Sequence, residues 1–351
     1  MARVAGVCAR GLAPLDLLAR VASLVRPHVP YVAAGWILVD PDTLLMNGVY
    51  AEHVPRELHL LLIECELTED DFTKFYDLAR TGVGAASLSA ATNGELTRST
   101  RWSRIYQPHG YGDELRAVFA SGNAVWGHVC LTRATDDPWF GAGEVDLLAR
   151  ICPHVGNGIR TSLALAGAPD DGGEAGPGFV VLTDDGRVES VSPEARNWLG
   201  PVEDESLATT IVLHQVAQQV RALAEGCTGG PVAMARVRAR SGDWVVVRGA
   251  RIGSDAGPSG RTALVLERAS RSDVAPLLLR QRKLTRREQE VTRLMLAGLP
   301  TSEIAGELFI SPETLRGHVK AVFAKLDVSS RPELAALLSH QPVVHPDTTV
   351  S

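Results

Sequence analysis

The chain has 351 residues, of which 45% are hydrophobic and 22% charged, with a formal net charge of −6. That length is enough for two or three domains, each with its own core. No run of about eighteen uncharged apolar residues occurs, which excludes a membrane-spanning helix, and the stretch Met1 to Leu18 lacks the sustained apolar core of a secretory leader. The five cysteines, at 8, 65, 130, 152 and 227, are scattered without CxxC spacing. They read as reduced, buried thiols of a cytoplasmic protein, not as a disulfide framework or zinc site.

The first 165 residues mix helical and strand patterns. Leu15 to Val25 has helical periodicity, and Tyr31 to Val39 and Thr43 to Tyr50 read as strands joined by Asp40-Pro41-Asp42. Helical stretches follow over Glu57 to Leu67 and Asp70 to Leu78. Asn123 to Thr132 is a further strand and Glu144 to Ser162 a closing helix. Thr81-Gly82-Val83-Gly84-Ala85-Ala86 has two glycines in dinucleotide-like spacing, but Ser87 replaces the third and no acidic residue is well placed after it, so it reads as a loop. The element order, with Gly122-Asn123-Ala124-Val125-Trp126-Gly127-His128 leading into a strand, then Phe140 and a helix carrying Leu147, Leu148 and Ile151, resembles the GAF-type sensor fold. That resemblance implies a small molecule held between a central antiparallel sheet and covering helices.

Residues 166–178, rich in Gly, Ala, Pro and Asp, form a linker by composition. From Phe179 to Val191 a hairpin is expected around Asp184-Asp185-Gly186, then a short helix over Ser192 to Leu199 and a longer one over Leu213 to Ala224. Three strands follow: Ala233 to Arg240, Trp244 to Arg251 and Thr262 to Leu266. This order over 179–267 resembles a PAS domain. The family's n-x-x-A-x-x-x-L-G pattern stands here as Ser192-Pro193-Glu194-Ala195-Arg196-Asn197-Trp198-Leu199-Gly200, with Ser or Pro in place of the usual Asn. Residues 268–283, around Leu277-Leu278-Leu279, read as a connecting helix.

The segment from Leu284 to Leu338 reads as four short helices with tight turns. Thr285 is an N-cap completed by Glu288 three residues on, and Gly298 follows the apolar positions Val291, Leu294 and Met295 where a helix would end. Thr301 or Ser302 caps a second helix through Ile304, Ala305 and Leu308; Ser311 with Pro312 opens a third. In that third helix Leu315, Val319, Phe323 and Leu326 make one apolar stripe. Glu313, Arg316, Gly317 and Lys320 lie opposite, with His318 at the edge. Arg and Lys there match guanine acceptors in the major groove, and Gly317 would permit close approach of the backbone. Ser302, Ser311, Thr314 and Lys325 lie near helix ends, where hydroxyls, an ammonium and free N–H groups can hold phosphates. From Arg280 to Leu338 ten basic residues face seven acidic ones, a net charge of +3, which leaves −9 for the rest of a chain at −6. An acidic body would be repelled by DNA, and the basic end would make the contact.

Leu284-Thr285-Arg286-Arg287-Glu288, Ala297-Gly298-Leu299, Glu303-Ile304-Ala305, Ile310-Ser311, Thr314-Leu315-Arg316, His318-Val319-Lys320, Lys325-Leu326 and Ser329-Ser330-Arg331 stand at fixed spacings. In them the segment resembles the helix-turn-helix domain of the LuxR family of bacterial transcription regulators. The resemblance implies Arg316, Gly317 and Lys320 at base edges with Thr314 and His318 beside them, and a fourth helix, Ser330 to Leu338, that pairs two domains on a two-fold site. Asp327 stands where the family usually has Gly, opposing the helix dipole.

The expected fold class is thus a multidomain α+β chain: GAF-like and PAS-like mixed domains over 1–165 and 179–267, then an all-α four-helix helix-turn-helix domain over 284–338 and a flexible tail over 339–351. The expected partners are double-stranded DNA, a second copy of the chain, a small-molecule effector and RNA polymerase, with no membrane and no cofactor. Two alternatives stay open: a constitutive DNA binder whose N-terminal domains only dimerise, and a ligand-binding or enzymatic protein that uses its helix-turn-helix for protein interaction. No GxSxG elbow, P-loop lysine or HExxH appears, nor the arrangement of a phosphorylated receiver domain or the acyl-homoserine-lactone domain pattern. His109, His128 and His154 as a metal set, Cys152-Pro153 as a haem element, and Trp36, Trp102, Tyr106, Trp126 and Trp139 as a pocket lining are each less expected than ordinary core or surface roles.

Overall fold

In the computed structural model, described for residues 1–122, 124–165, 176–199, 207–226, 233–239, 243–254, 257–282 and 284–338, the chain divides into two units. The first takes in residues up to Arg268 and holds two five-stranded antiparallel sheets; the second begins at Ala269 and is helical. No helix among the described residues is long and apolar enough to cross a membrane. The expected linker over 166–178 lies almost wholly outside the described residues, as do the tail over 339–351, Cys227, Asn123, Gly200 and Arg240.

In the first unit α1 (Ala2–Cys8) and α2 (Pro14–Val25) precede β1 (Ala33–Val39) and β2 (Met46–Glu52). Then come α3 (Arg56–Thr68), α4 (Phe75–Thr81), β3 (Ala85–Ser87), α5 (Leu88–Ala91), a π-helical turn at Trp102–Tyr106, β4 (Tyr111–Ser121), β5 (Ala124–Ala134) and α6 (Ala142–Leu165). The strand order is β2-β1-β5-β4-β3. α2 and α6 cover one face, where Leu17, Leu18, Val21, Leu148, Val155 and Ile159 are buried. Gly156 lets α6 lie directly on β4: a Cβ there would sit 2.6 Å from the Ala120 carbonyl oxygen. The segment Thr81–Ala86, expected as a loop, is loop only in its middle, with Thr81 the last residue of α4. Gly82 ends α4 at φ +73°, and Ala85 to Ser87 pair with β4 as a strand. β4, α1 and β3 were not anticipated.

The second sheet repeats the same order of strands in β6 (Gly178–Thr183), β7 (Val188–Val191), β8 (Met234–Arg238), β9 (Trp244–Ser254) and β10 (Gly257–Arg268), arranged β7-β6-β10-β9-β8. The Asp184-Asp185-Gly186 turn joins β6 to β7, with Gly186 at φ +81°. α7 (Pro193–Leu199) follows, and α8 (Leu207–Ala224) lies on the sheet through Leu213, Val216, Ala217 and Val220. The two sheets are not independent. The β1–β2 tip places Leu45, 2% exposed, in the core of the second half, and buries Asp40 against Arg236 at 3.1 and 3.2 Å, with Asp42 to the same guanidinium at 2.8 Å. Burial pushes the Asp40 carboxyl up, with Arg236 opposing.

Charge is also buried inside the first half. Arg101 donates to Glu114 Oε2 through Nε (3.0 Å) and Nη2 (2.8 Å), Arg116 Nε to Glu114 Oε1 (2.8 Å), and Arg116 Nη1 to Glu66 (2.6 Å). Burial alone would raise the Glu114 carboxyl; the two guanidinium groups hold it below its usual range. Each charge is thus compensated, the condition for tolerating it in a core.

The second unit consists of α9 (Arg271–Gln281), α10 (Arg286–Leu296), α11 (Thr301–Glu307), α12 (Pro312–Leu326) and α13 (Arg331–Leu338). Val291, Met295, Ile304, Leu315, Val322, Leu326 and Leu334 form its core, with Leu279 of α9 packed on it. The fold class is as expected: mixed α+β with two antiparallel sheets, then an all-α end.

Candidate nucleic-acid interface

α10 starts with a complete capping box. The Thr285 hydroxyl accepts from the Glu288 N–H at 3.2 Å and the Glu288 carboxylate accepts from the Thr285 N–H at 2.6 Å. The turn after it uses Gly298 at φ +84°. α11 has Pro300 as N-cap and no side-chain cap, so neither Thr301 nor Ser302 plays the expected part; proline in extended conformation sets the entry instead. α12 begins as expected, with the Ser311 hydroxyl accepting from the Thr314 N–H at 3.1 Å and Pro312 in the first turn.

α12 buries one face and exposes the other. Leu315 and Leu326 are enclosed and Val319 and Phe323 half-buried, as the stripe requires, but the deepest contact also includes Val322, 0% exposed, which the four-residue spacing passed over. On the outer face Arg316 and Lys320 are exposed and His318 is half-buried. Arg316 pairs with Glu313, Nη2 to Oε2 at 2.7 Å, with side chains 69% and 84% exposed, so solvent keeps the pair weak. A Cβ at Gly317 would meet nothing within 4 Å. Packing among the described residues of the unit therefore does not call for glycine there.

Of the expected phosphate contacts, Ser302 is exposed in the first turn of α11, and Ser311 and Thr314 are exposed with their hydroxyls 2.9 Å apart at the start of α12. Lys325 is engaged elsewhere: its ammonium lies 2.6 and 2.8 Å from the Glu288 carboxylate oxygens. Burial opposes it, yet Lys325 and the Thr285 N–H and hydroxyl hold the Glu288 carboxyl below its usual range. One carboxylate thus caps α10 and fastens the end of α12 to it. Sequence reasoning missed this tie, since the partners are 37 residues apart with no local pattern linking them. Arg331 was likewise read only as a motif residue, and it donates to the carbonyls of Met295 (3.1 Å) and Leu299 (2.6 Å), closing the C-terminal end of α10. Asp327 takes the left-handed position after α12 at φ 57°, its N–H on the Phe323 carbonyl, which is the conformation a glycine there would adopt without strain.

The other candidate sites separate. His128 is buried and stacked on Phe75 with ring centroids 3.6 Å apart, His109 meets the Ile105 carbonyl through Nδ1 at 2.7 Å, and His154 is exposed on α6. Among the described residues no group of three or more His, Cys, Asp or Glu could hold a metal ion. Cys152 is enclosed in α6 and burial pushes its thiol up strongly. Trp36 and Trp126 are core residues, Trp139 is 50% exposed, and Tyr106 borders a cavity.

Residues 282–338 match the family model described as bacterial regulatory proteins, luxR family. Over 48 residues the chain is 48% identical to the spore germination protein GerE of Bacillus subtilis, covering 14% of this chain and 65% of that protein. Over 51 residues it is 45% identical to the putative HTH-type transcriptional regulator Mb0914c of Mycobacterium bovis, again 14% of this chain but only 6% of that protein. The chain therefore spans a small part of the mycobacterial relative's length. A GAF domain/HD domain protein from Geobacter sulfurreducens aligns over 46% of this chain and 97% of that one, at 11% identity and a TM-score of 0.33. The C-terminal end of the chain is a LuxR-type helix-turn-helix domain.

Proposed function

We propose that this chain is a sequence-specific DNA-binding transcription regulator, acting as a homodimer in the cytoplasm, whose N-terminal half senses a small molecule and modulates how the C-terminal domain meets DNA. The observation that carries the reading is the outer face of α12. Arg316, Gly317 and Lys320 are exposed there, opposite the buried Leu315, Val322 and Leu326, and a Cβ at Gly317 would meet nothing within 4 Å. Arg316 and Lys320 would read base edges with His318 beside them, and Ser302, Ser311 and Thr314 would hold phosphates. Lys325 would reach a phosphate only by sharing its ammonium with Glu288. α13 would pair two copies on a two-fold site, and RNA polymerase would be the downstream partner.

Selection of bound sequences from random duplex DNA by the full-length chain tests this. The expected result is an enriched two-fold motif, with affinity that falls steeply as salt rises because bound phosphates release counterions. Absence of any enriched motif, in the presence and absence of cell extract as a source of effector, would return the enzyme and protein-interaction readings to the front.

A further inference from the structure

The first unit contains a cavity of about 360 Å³ that the first half of the chain does not close by itself. Its floor is one face of the first sheet, where Gly35, Ile37, Arg116, His128 and Cys130 stand, and α3 and α4 form a second side. The remaining wall comes from the other half. Ile211, Gln215 and Gln219 of α8, spaced by four and so on one side of the helix, all line it. The tip of the β1–β2 hairpin borders the same space through Asp42, Leu44, Leu45 and Met46, three of which fasten the halves together. Asp42 pairs with Arg236, Leu45 enters the second core, and the Met46 N–H donates to Gln215 Oε1 at 2.5 Å. Leu44 is held at φ 60°, a left-handed conformation costly for a branched residue, so the tip is over-determined by its surroundings.

The lining decides the chemistry of an occupant. Arg116 is spent on Glu66 and Glu114, Asp42 on Arg236, and Lys74 Nζ on the Glu69 carbonyl at 2.6 Å. His128 is neutral, its ring pushed down to about 3 by burial and by Arg116. Four acids (Asp42, Glu66, Asp70, Asp77) face two bases (Lys74, Arg116), so an anion is repelled. Of the buried side-chain polar atoms without a hydrogen-bond partner among the described residues, one belongs to the lining: His59 Nε2. We propose that the cavity binds a neutral, mostly apolar small molecule with one hydrogen-bonding group for His59 Nε2, and that α8 is part of the binding wall, so that occupancy is registered at the seam between the two halves. What occupancy does to DNA binding rests on the sensor reading above; the site itself does not.

The test uses the full-length chain and two fluorescent probes with the same ring skeleton, neutral N-phenyl-1-naphthylamine and anionic 8-anilino-1-naphthalenesulfonate. The neutral probe is expected to bind saturably at one site and at least tenfold more tightly than the anionic one. Val49→Phe on β2 and Ile211→Phe on α8, which fill the space from opposite halves, should each weaken it at least tenfold. His59→Phe, at a half-buried position and with circular dichroism unchanged, should weaken it at least threefold. Absence of saturable binding, preference for the anion, or full affinity in Ile211→Phe with circular dichroism unchanged overturns the proposal. DNA affinity measured with and without saturating probe separates the two claims. Probe binding that leaves DNA affinity unmoved sinks modulation and keeps the site, whereas DNA binding with no probe site sinks the site alone.

Discussion

Replacing Glu288 with Ala removes two interactions at once, and their sum can be worked out. The capping box loses its carboxylate, leaving the Thr285 N–H without its 2.6 Å acceptor, at a cost of about 1 kcal/mol. The contact with Lys325, whose side chain is 35% exposed against 7% for Glu288, is worth about 1 kcal/mol after discounting for solvent on the lysine side. The total of about 2 kcal/mol corresponds to about thirtyfold in an opening equilibrium. Amide hydrogen exchange read by mass spectrometry on the intact chain should show α10 and α12 exchanging about thirtyfold faster, with the two sheets unchanged. Lys325→Ala alone should accelerate the same helices about fivefold, and the double variant should fall short of additivity by the shared pair. Because the folded Glu288 carboxyl titrates below its unfolded value of about 4.3, its contribution is full above that pH and is lost as pH falls through the folded value. Glu288→Gln should abolish that pH dependence in α10. Less than a threefold change in Glu288→Ala, or an equal change in the sheets, would refute the clamp.

Three further outcomes are expected. Arg316→Ala and Lys320→Ala should each cost about 1–3 kcal/mol of specific DNA affinity with exchange in α12 unaltered; unchanged sequence preference in both would remove the recognition face. Asp327→Gly should slow exchange in α12 about threefold, since glycine takes φ 57° without the side-chain penalty and removes an anion from the helix C-terminus; faster exchange would show that Asp327 has a favourable contact of its own. Arg236→Ala should destabilise the first unit by about 3–5 kcal/mol in chemical denaturation because it strands the buried Asp40, and Asp40→Asn in the same chain should recover part of the loss; a cost under about 1 kcal/mol would mean that water reaches the pair.

The legible parts of this chain are those specified by near neighbours. Thr285 with Glu288, Ser311 with Pro312 and Gly298 all act over a few residues, and each does in the structure what its spacing predicts. β4 was missed for the opposite reason. Its Asp113, Glu114 and Arg116 look solvent-facing in sequence, yet all are buried because their partners come from elsewhere: Asp113 accepts from Ser89 and Phe140, Glu114 from Arg101, and Glu66 is 50 residues from Arg116. β3 is only three residues long, too short for periodicity to register. At the interface the exposed face of α12 followed from helical spacing, whereas the engagement of Lys325 by Glu288 depends on how α10 crosses α12, which no local pattern encodes. The cavity lay beyond reach for the same reason, since α3 and α8 belong to segments some 150 residues apart.

The insertion of Leu45 into the second core also fixes a timetable for synthesis. Asp40 must wait for Arg236, 196 residues downstream, and at about 5–20 residues per second that interval is on the order of ten to forty seconds. During it the hairpin tip carries an apolar side chain and a carboxylate whose partners have not yet left the ribosome. The first sheet can pair its own strands in that time, but its outer corner stays unfinished until β8 and α8 arrive. A nascent chain stalled before residue 207 would therefore present that corner to chaperones and proteases, and the first half is complete only when nearly the whole of the second has been made.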